Sequence, residues 1–260
     1  MEKFSASLIA ALSALFVYLA LRELCERRAA LWLTVLYALG TNTWTISSQA
    51  LWQHGFSELS LSLMVYALLK ARQQDSWLLV AGLGAALATA NRPPNIFFAL
   101  LALVYAWRFY SWKVFNFLLF PLIIGVPLLA YNFLYFGNLA GGYGLTGVGP
   151  AGMLRGLLNF HQAGLLGTLS SPSRGLLVYS PFTLFSLWGA GYLWCRQADP
   201  VLRYMSLGVL GQIFFYSQAP MWWGGHSFGP RFLTDIVPLL CLMLVPMLPL
   251  LKRRLVRGPL

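Results

Sequence analysis

Residues 115–136 of the chain read FNFLLFPLIIGVPLLAYNFLYF, a stretch that contains no charged side chain. A helix needs about 17 to 25 largely apolar residues to cross the hydrocarbon core of a bilayer. Comparable apolar runs occupy residues 4–21 and 232–251. Because lipid offers the backbone no hydrogen-bond partners, each run should be helical. The sequence therefore predicts an all-α protein that forms a polytopic transmembrane helical bundle.

The overall composition supports the same class of protein. Of the 260 residues, 58% are apolar and 10% are charged, whereas soluble domains carry about 25% charged residues. The apolar residues run in blocks and do not alternate, which argues against a transmembrane β-barrel. The formal charge is +11, but the basic residues flank the apolar blocks, which indicates a role in membrane topology and not in nucleic-acid binding.

We predict about nine spans that form one membrane domain over residues 1–260. Their approximate limits are 4–21, 29–47, 55–70, 77–91, 94–108, 115–136, 176–195, 202–219 and 232–251. The fourth and fifth spans flank the motif NRPPN at 91–95, where two prolines prevent one continuous helix. Residues 137–174 are predicted to be an external loop with short amphipathic helices, including one at 153–169 that would lie on the membrane.

Basic residues are divided unevenly between the two predicted sides of the bundle. Thirteen fall on one side and five on the other, the five being Lys3, Arg92, Arg155, Arg174 and Arg231. Cytoplasmic loops are enriched in Lys and Arg, so the larger group should be cytoplasmic, with the C-terminus inside and, for nine spans, the N-terminus outside. Such an N-terminus needs an upstream helix to export it, and we expect that helix and its external loop to be missing. Eight spans with an internal N-terminus is the alternative.

Three arginines on the predicted external side are candidates for binding an anionic group such as a lipid phosphate: Arg92, Arg174 and Arg231. Charged side chains at membrane depth are costly and usually face a cavity. Arg174 follows Ser-Pro-Ser and precedes a predicted helix, a setting in which hydroxyls and a helix N-terminus also suit phosphate. Structural alternatives remain open, namely snorkelling to lipid headgroups for Arg174 and capping of carbonyls freed by the prolines for Arg92.

Two acidic residues are candidates for catalysis. Asp235 follows Arg231 by four residues where a helix should enter the membrane, so the two should share a helical face. Asp235 would hold Arg231 in place, or the two would form a purely structural ion pair. Glu58 follows His54 by the same spacing near the start of another helix. Glu58 could act as a general base or sugar-binding carboxylate, or it could favour the helix N-terminus, with His54 as an interfacial polar residue.

Aromatic side chains on the same side are candidates for substrate binding. Trp222 and Trp223 could line a sugar or lipid site, or they could belong to the aromatic belt at the membrane interface. Tyr179 lies about one helical turn after Arg174, so it could face the same cavity or simply pack.

Histidine and cysteine usage predicts neither a metal site nor a disulfide framework. The histidines, His54, His161 and His226, could together bind Zn²⁺, but they lie in three different loops and no His-Glu-x-x-His motif is present. His226 remains a candidate for substrate binding, and a divalent metal stays an open alternative. The cysteine count is odd and none lies in a predicted external loop, so free thiols are expected.

The order of the external motifs resembles that of a known family. The motifs are GTNTW at 40–44, ALWQHG at 50–55, NRPPN at 91–95, YNF at 131–133, GYG at 142–144, SPSRGLLVYSP at 171–181, WWGG at 222–225 and GPRF at 229–232. This set resembles bacterial proteins of the C-fold glycosyltransferase superfamily, which includes protein O-mannosyltransferases and the lipid A aminoarabinose transferase. The resemblance covers nearly the whole chain.

The resemblance implies a reaction at the external face of a bacterial inner membrane. A sugar would move from a polyprenyl-phosphate carrier to a glycan, lipid or protein acceptor, without a nucleotide sugar. Arginines near the bilayer surface should stabilise the leaving phosphate, a role that Arg92, Arg174 and Arg231 fit by type and side. The family's catalytic acidic residue lies in a first external loop that has no counterpart here. Glu58 and Asp235 are therefore the external carboxylates left to deprotonate the acceptor hydroxyl.

Two other functions remain as alternatives. A transporter or flippase for a lipid-linked glycan should carry polar groups at mid-bilayer from both halves of the chain. This sequence concentrates its polar groups on one face, which favours the enzyme. A catalytically inactive membrane scaffold is the second alternative, because the family's catalytic loop is missing.

Overall fold

The computed structural model describes residues 1–142, 162–219, 221–226 and 228–249. The protein is 78% helical and has no strand within these ranges, which confirms the predicted all-α class. We label the α-helices in chain order as α1 (Glu2–Arg22), α2 (Arg27–Leu39), α3 (Gln53–Lys70), α4 (Trp77–Asn91), α5 (Ile96–Tyr110), α6 (Val114–Phe136), α7 (Gln162–Ser170), α8 (Leu176–Tyr179), α9 (Thr183–Cys195), α10 (Pro200–Ser217) and α11 (Val237–Leu242).

Two helical stretches of the described chain are long and apolar enough to cross a membrane. They are Glu2–Arg22 and Pro93–Phe136, and the second includes both α5 and α6. The most apolar window of each has a mean hydropathy of 2.1. Trp77–Asn91 is also apolar but shorter. Two stretches thus meet the length and composition of a span, and the count of nine stays a prediction.

The α6 helix shows why a membrane environment suits this fold. Its first turns pack against α4, where Val114 and Phe117 are buried. Most of its later apolar side chains are exposed, for example Leu122, Val126 and Leu134. A water-soluble monomer rarely exposes so long an apolar face, whereas lipid chains would cover it without cost.

The NRPPN motif interrupts the helices as predicted. Helix α4 ends at Asn91, the segment Pro93–Asn95 forms a 3₁₀ turn, and α5 begins at Ile96. Arg92 is extended, with φ −142° and ψ 108°, because the residue before a proline is disfavoured in the helical region. The backbone break therefore turns the Arg92 side chain away from the helix direction.

The predicted span 29–47 is interrupted. Helix α2 ends at Leu39, and a π-helical turn, Thr43–Ser47, follows it. The Thr41 hydroxyl donates to the backbone carbonyl of Tyr37 at 2.7 Å, which offers the backbone an alternative to continued helix. Single-turn π-helices occur frequently at functional sites.

Two further predicted spans are divided by proline. The span 176–195 consists of α8 and α9, because Pro181 has no N–H with which to continue the helix. The span 232–251 begins as a 3₁₀ turn, Arg231–Ile236, continues as α11 and then includes a second 3₁₀ turn, Val245–Met247. Each of these last two elements has a proline in its first two positions.

The predicted amphipathic helix at 153–169 lies partly outside the described residues. Its described part belongs to α7, which packs on α10 and α8. A Cβ added at Gly164 would approach the Ser217 carbonyl oxygen to 2.0 Å, and one at Gly167 would meet the Trp222 ring. The two glycines therefore allow α7 to dock closely on the bundle. The three cysteines are thiols, as predicted.

Ion pairs join the helices at one end of the bundle. Lys70 at the end of α3 is 3.4 Å from Glu23, and Arg72 is 2.6 Å from Asp199 at the start of α10. Lys113, before α6, pairs with Asp75, before α4. The start of α3, the end of α4 and the end of α10 meet at the opposite end, which holds the candidate site.

The α4 helix depends on glycine for its contacts. A Cβ at Gly82 would lie 2.0 Å from the Phe117 carbonyl oxygen of α6. Gly82→Ala should therefore lower the stability of the purified protein in detergent by about 1–3 kcal/mol, because the rigid backbone must shift. Thermal unfolding would measure this. The control is Gly125→Ala, where an added Cβ meets nothing within 4 Å. Equal stability of the two variants would contradict the close packing of α4 on α6.

Candidate functional site

A buried cluster of polar side chains lies at the end of the bundle opposite the ion pairs. Asp235 Oδ2 is 2.6 Å from Arg92 Nη1, and Asp235 Oδ1 is 2.8 Å from His54 Nδ1. Arg92 also donates from Nη2 to the Tyr216 hydroxyl at 2.7 Å. Asp235 is completely buried, and Arg92 is only 6% exposed. Opposite charges can be buried in this way because they are paired and hydrogen-bonded.

Four separate elements supply this cluster. His54 is the second residue of α3, and Arg92 occupies the extended position before the two prolines. Asp235 belongs to the 3₁₀ turn before α11, and Tyr216 lies near the end of α10. The Tyr216 ring stacks on Phe232, with centroids 4.9 Å apart, so α10 and the 3₁₀ turn are held together beside the charges.

Arg231 extends the cluster towards the surface. Its Nε donates to His54 Nε2 at 3.3 Å, and its guanidinium lies 4.1 Å from the centroid of the Trp52 ring. The prediction that Arg231 and Asp235 share one α-helical face is wrong, because the segment is a 3₁₀ turn of three residues per turn. The two side chains instead contact opposite nitrogens of His54, and Asp235 forms its ion pair with Arg92.

Arg174 reaches the same region from the segment before α8. Its Nη2 donates to the Gly225 carbonyl oxygen at 2.8 Å. The neighbouring hydroxyls of Ser171 and Ser173 contact each other at 3.3 Å. The helix that follows, α8, has only four residues, so its dipole contributes little at Arg174. The guanidinium, and not a helix N-terminus, is the feature of this segment that suits an anion.

Arg174 and Arg231 line one small cleft. Its other lining residues include the two tryptophans, Trp222 and Trp223, together with Thr168, Pro230, Phe232 and Leu233. The cleft as it stands has room for about one water molecule. A substrate headgroup would therefore have to contact its mouth or widen it.

The two tryptophans differ in exposure. Trp222 packs over Gly167 of α7 and makes an edge contact with Trp223, at a centroid distance of 5.8 Å. Trp223 is 41% exposed. Trp222 thus anchors α7, while the ring of Trp223 is accessible at the cleft.

A wider groove of about 480 Å³ is lined by Trp44, Thr45, Gln49 and Phe228. Tyr179 makes an edge contact with Phe228, at a centroid distance of 5.1 Å. Tyr179 therefore lies beside this groove and is not one of the residues that line the arginine cleft. His226 is exposed and lines neither space.

Glu58 is enclosed in a separate pocket of polar side chains. It is completely buried, and its Oε1 accepts a hydrogen bond from the Thr43 hydroxyl at 2.6 Å. Within the part of the chain that the structure describes, Oε2 has no hydrogen-bond partner. One residue before Thr43, Asn42 donates to the Thr234 hydroxyl at 2.7 Å, which links this pocket to the segment of Asp235. The structure does not bring Glu58 to the arginine cleft.

The structure thus divides the candidate site residues into three groups. Those in the buried cluster are His54, Arg92, Asp235 and, at its edge, Arg231; those at the cleft beside Arg231 are Arg174, Trp222 and Trp223; those elsewhere are Glu58, Tyr179 and His226. His161 lies outside the described residues. Among the described residues, no group of three or more His, Cys, Asp or Glu side chains is arranged to hold a metal ion.

Sequence reasoning missed three residues of the site. Tyr216 and Thr43 bind candidate residues through hydroxyls; no local pattern marks Tyr216, and Thr43 belongs to the GTNTW motif. Trp52 belongs to a motif that the sequence analysis quotes, and its place two residues before His54 hints that both serve one site. The stacking of Arg231 on its ring is a long-range contact, so only the structure reveals it.

Comparisons of the chain with protein-family models, with curated proteins and with solved structures found no match.

Removing the buried carboxylate tests the cluster. Asp235→Ala should lower the free energy of unfolding in detergent by about 3–5 kcal/mol, because the Arg92 charge is left buried and uncompensated. The control is Asp75→Ala, whose pair with Lys113 is well exposed to solvent and should cost about 1 kcal/mol or less. The double variant Arg92→Met/Asp235→Leu should be more stable than Asp235→Ala. A loss no larger than that of the control would show that the pair is not a buried one.

Proposed function

We propose that this protein is a membrane glycosyltransferase that transfers a sugar from a polyprenyl-phosphate carrier to an acceptor, with Arg174 and Arg231 binding the carrier's phosphate. The observation that carries the proposal is the meeting of these two arginines at one cleft, although they are far apart in the sequence. Arg92 stands behind them, linked to Arg231 through Asp235 and His54. A guanidinium presents several N–H donors in a planar fork that matches phosphate oxygens.

The chemistry of such a transfer needs positive charge at this position. The bond between the sugar's anomeric carbon and a phosphate oxygen breaks, and its electron pair stays on the phosphate. The acceptor hydroxyl oxygen forms the new bond to the anomeric carbon, and its proton passes to water. Donors fixed before the reaction stabilise the charge that develops on the leaving phosphate, which is the role we assign to Arg174 and Arg231.

The enclosed carboxylates take structural roles in this proposal. Asp235 is engaged with both Arg92 and His54, so it holds the cluster and does not touch the acceptor. Glu58 is completely buried, and its Oε1 accepts a hydrogen bond from Thr43, which is buried too. The proposal assigns no base among the described residues.

The surroundings of the cleft suit the rest of a lipid-linked sugar. The exposed ring of Trp223 offers an aromatic face on which a sugar could stack. A polyprenyl chain needs an apolar environment, and both Glu2–Arg22 and Pro93–Phe136 are apolar enough to lie in a bilayer. A charged cleft and apolar helices in one protein support the proposal of a lipid phosphate as ligand.

Binding of a radiolabelled polyprenyl-phosphate hexose tests the proposal directly. With the protein in lipid nanodiscs, Arg174→Ala and Arg231→Ala should each weaken binding about 10- to 100-fold, because each removes charge-assisted hydrogen bonds to the phosphate. The matched control is Arg108→Ala. Arg108 also lies over an aromatic ring, that of Phe109. It is in the last turn of α5, whereas the candidate site lies near the start of α5.

Transfer is then measured as label leaving the lipid for an added acceptor pool of glycans, lipids and peptides. Transfer that is lost in both cleft variants and kept in the control supports the enzyme. Movement of intact labelled lipid across the membrane, without loss of label, would favour the transporter alternative. Failure of the unaltered protein to bind any polyprenyl-phosphate sugar would contradict the proposal and leave the scaffold.

A further inference from the structure

The His54 ring is held at both of its nitrogens. Nδ1 lies 2.8 Å from Asp235 Oδ1, and Nε2 accepts a hydrogen bond from Arg231 Nε at 3.3 Å. The side chain is 2% exposed, so water does not compete freely for either contact. Nδ1 also lies 2.7 Å from Arg92 Nη1, so it faces both an acceptor and a donor, whereas Nε2 faces a donor.

These contacts select one form of the ring. Only an unprotonated Nε2 can accept from the Arg231 N–H, and a neutral imidazole that is bare at Nε2 carries its proton on Nδ1. That proton then points at the Asp235 carboxylate. The opposite tautomer would set two N–H groups against each other at Arg231 and two acceptors against each other at Asp235. A doubly protonated ring would still oppose the Arg231 N–H.

Arg92 makes the one contact that opposes this form of the ring. Its Nη1 is 2.7 Å from His54 Nδ1 and 2.6 Å from Asp235 Oδ2. A guanidinium can only donate, so the Nδ1–H form opposes the Arg92 contact while it satisfies the contacts with Asp235 and Arg231. The opposite tautomer satisfies the Arg92 contact alone. In the Nδ1–H form Arg92 keeps its hydrogen bond to Asp235 Oδ2. Arg92 is paired with Asp235, Asp235 accepts a hydrogen bond from His54, and His54 in turn contacts Arg231.

We propose that His54 is a positioning residue for Arg231: Asp235 holds it as the Nδ1–H tautomer, and its bare Nε2 orients the Arg231 guanidinium at the cleft. The Trp52 ring, 4.1 Å away, sets the plane of that guanidinium. The hydrogen bond from Nε to His54 sets its rotation within the plane. The tautomer stands on the geometry alone, whereas its consequence for phosphate binding rests on the proposed function.

The tautomer is measured by ¹⁵N NMR of protein labelled at histidine, with His54→Asn to identify the resonances. The expected spectrum shows His54 neutral, protonated at Nδ1 and bare at Nε2. A ring protonated at Nε2, alone or together with Nδ1, would overturn the inference. This readout requires no substrate, so it stands or falls independently of the glycosyltransferase proposal.

Two substitutions separate positioning from simple packing. In His54→Gln the amide oxygen can reach the place of Nε2 and accept from Arg231, whereas in His54→Asn the shorter amide can donate to Asp235 but does not reach Arg231. His54→Asn should therefore weaken binding of the polyprenyl-phosphate hexose by about three- to tenfold, the worth of one hydrogen bond. His54→Gln should recover most of that loss.

The double variant His54→Asn/Arg231→Ala completes the test. If His54 acts through Arg231, the double variant binds no more weakly than Arg231→Ala alone, because interacting residues are non-additive. Independent, additive losses would overturn the positioning role, as would equal losses for His54→Asn and His54→Gln. Should Arg231→Ala bind normally, the phosphate-site proposal fails, while the NMR result still decides the tautomer.

Discussion

The buried ion pair between Asp235 and Arg92 is the interaction on which the candidate site depends. Each charge taken from water costs several kcal/mol, and only close pairing with further hydrogen bonds offsets that cost. His54 and Tyr216 supply those bonds. The pair also connects the end of α4 to the 3₁₀ turn before α11. Through His54 and Tyr216 the same cluster includes the start of α3 and the end of α10.

The rest of the bundle depends on close packing of helices and on apolar surface, and not on buried charges. Helix α4 approaches its neighbours closely because Gly82 faces α6 and Gly84 faces α3, and small residues are typical where membrane helices cross. Apolar side chains along α6 are left exposed. The molecule therefore combines a polar end, whose charges are paired and hydrogen-bonded, with an apolar side surface.

Sequence reasoning succeeded where the cause was local. The two prolines of the NRPPN motif break the helix wherever they occur, so the end of α4 and the restart at α5 could be predicted. It failed for Arg231 and Asp235, because their spacing implies one helical face only if the segment is an α-helix, and it is a 3₁₀ turn. The complete burial of Glu58 could not be predicted either, since burial depends on which distant segments pack around a residue.

By itself the sequence determined the helical class, the apolar stretches and which arginines are candidates for binding an anion. Hydrophobic run length, proline and charge act within short segments of chain, so each can be read from the sequence. Which arginines meet was decided by the tertiary structure alone. Arg174 and Arg231 line one cleft and Arg92 stands behind His54, an arrangement set by the packing of α3, α4, α8 and α10. The proposed tautomer of His54 likewise depends on the tertiary structure, because it follows from partners that are far away in sequence and within 3.3 Å in space.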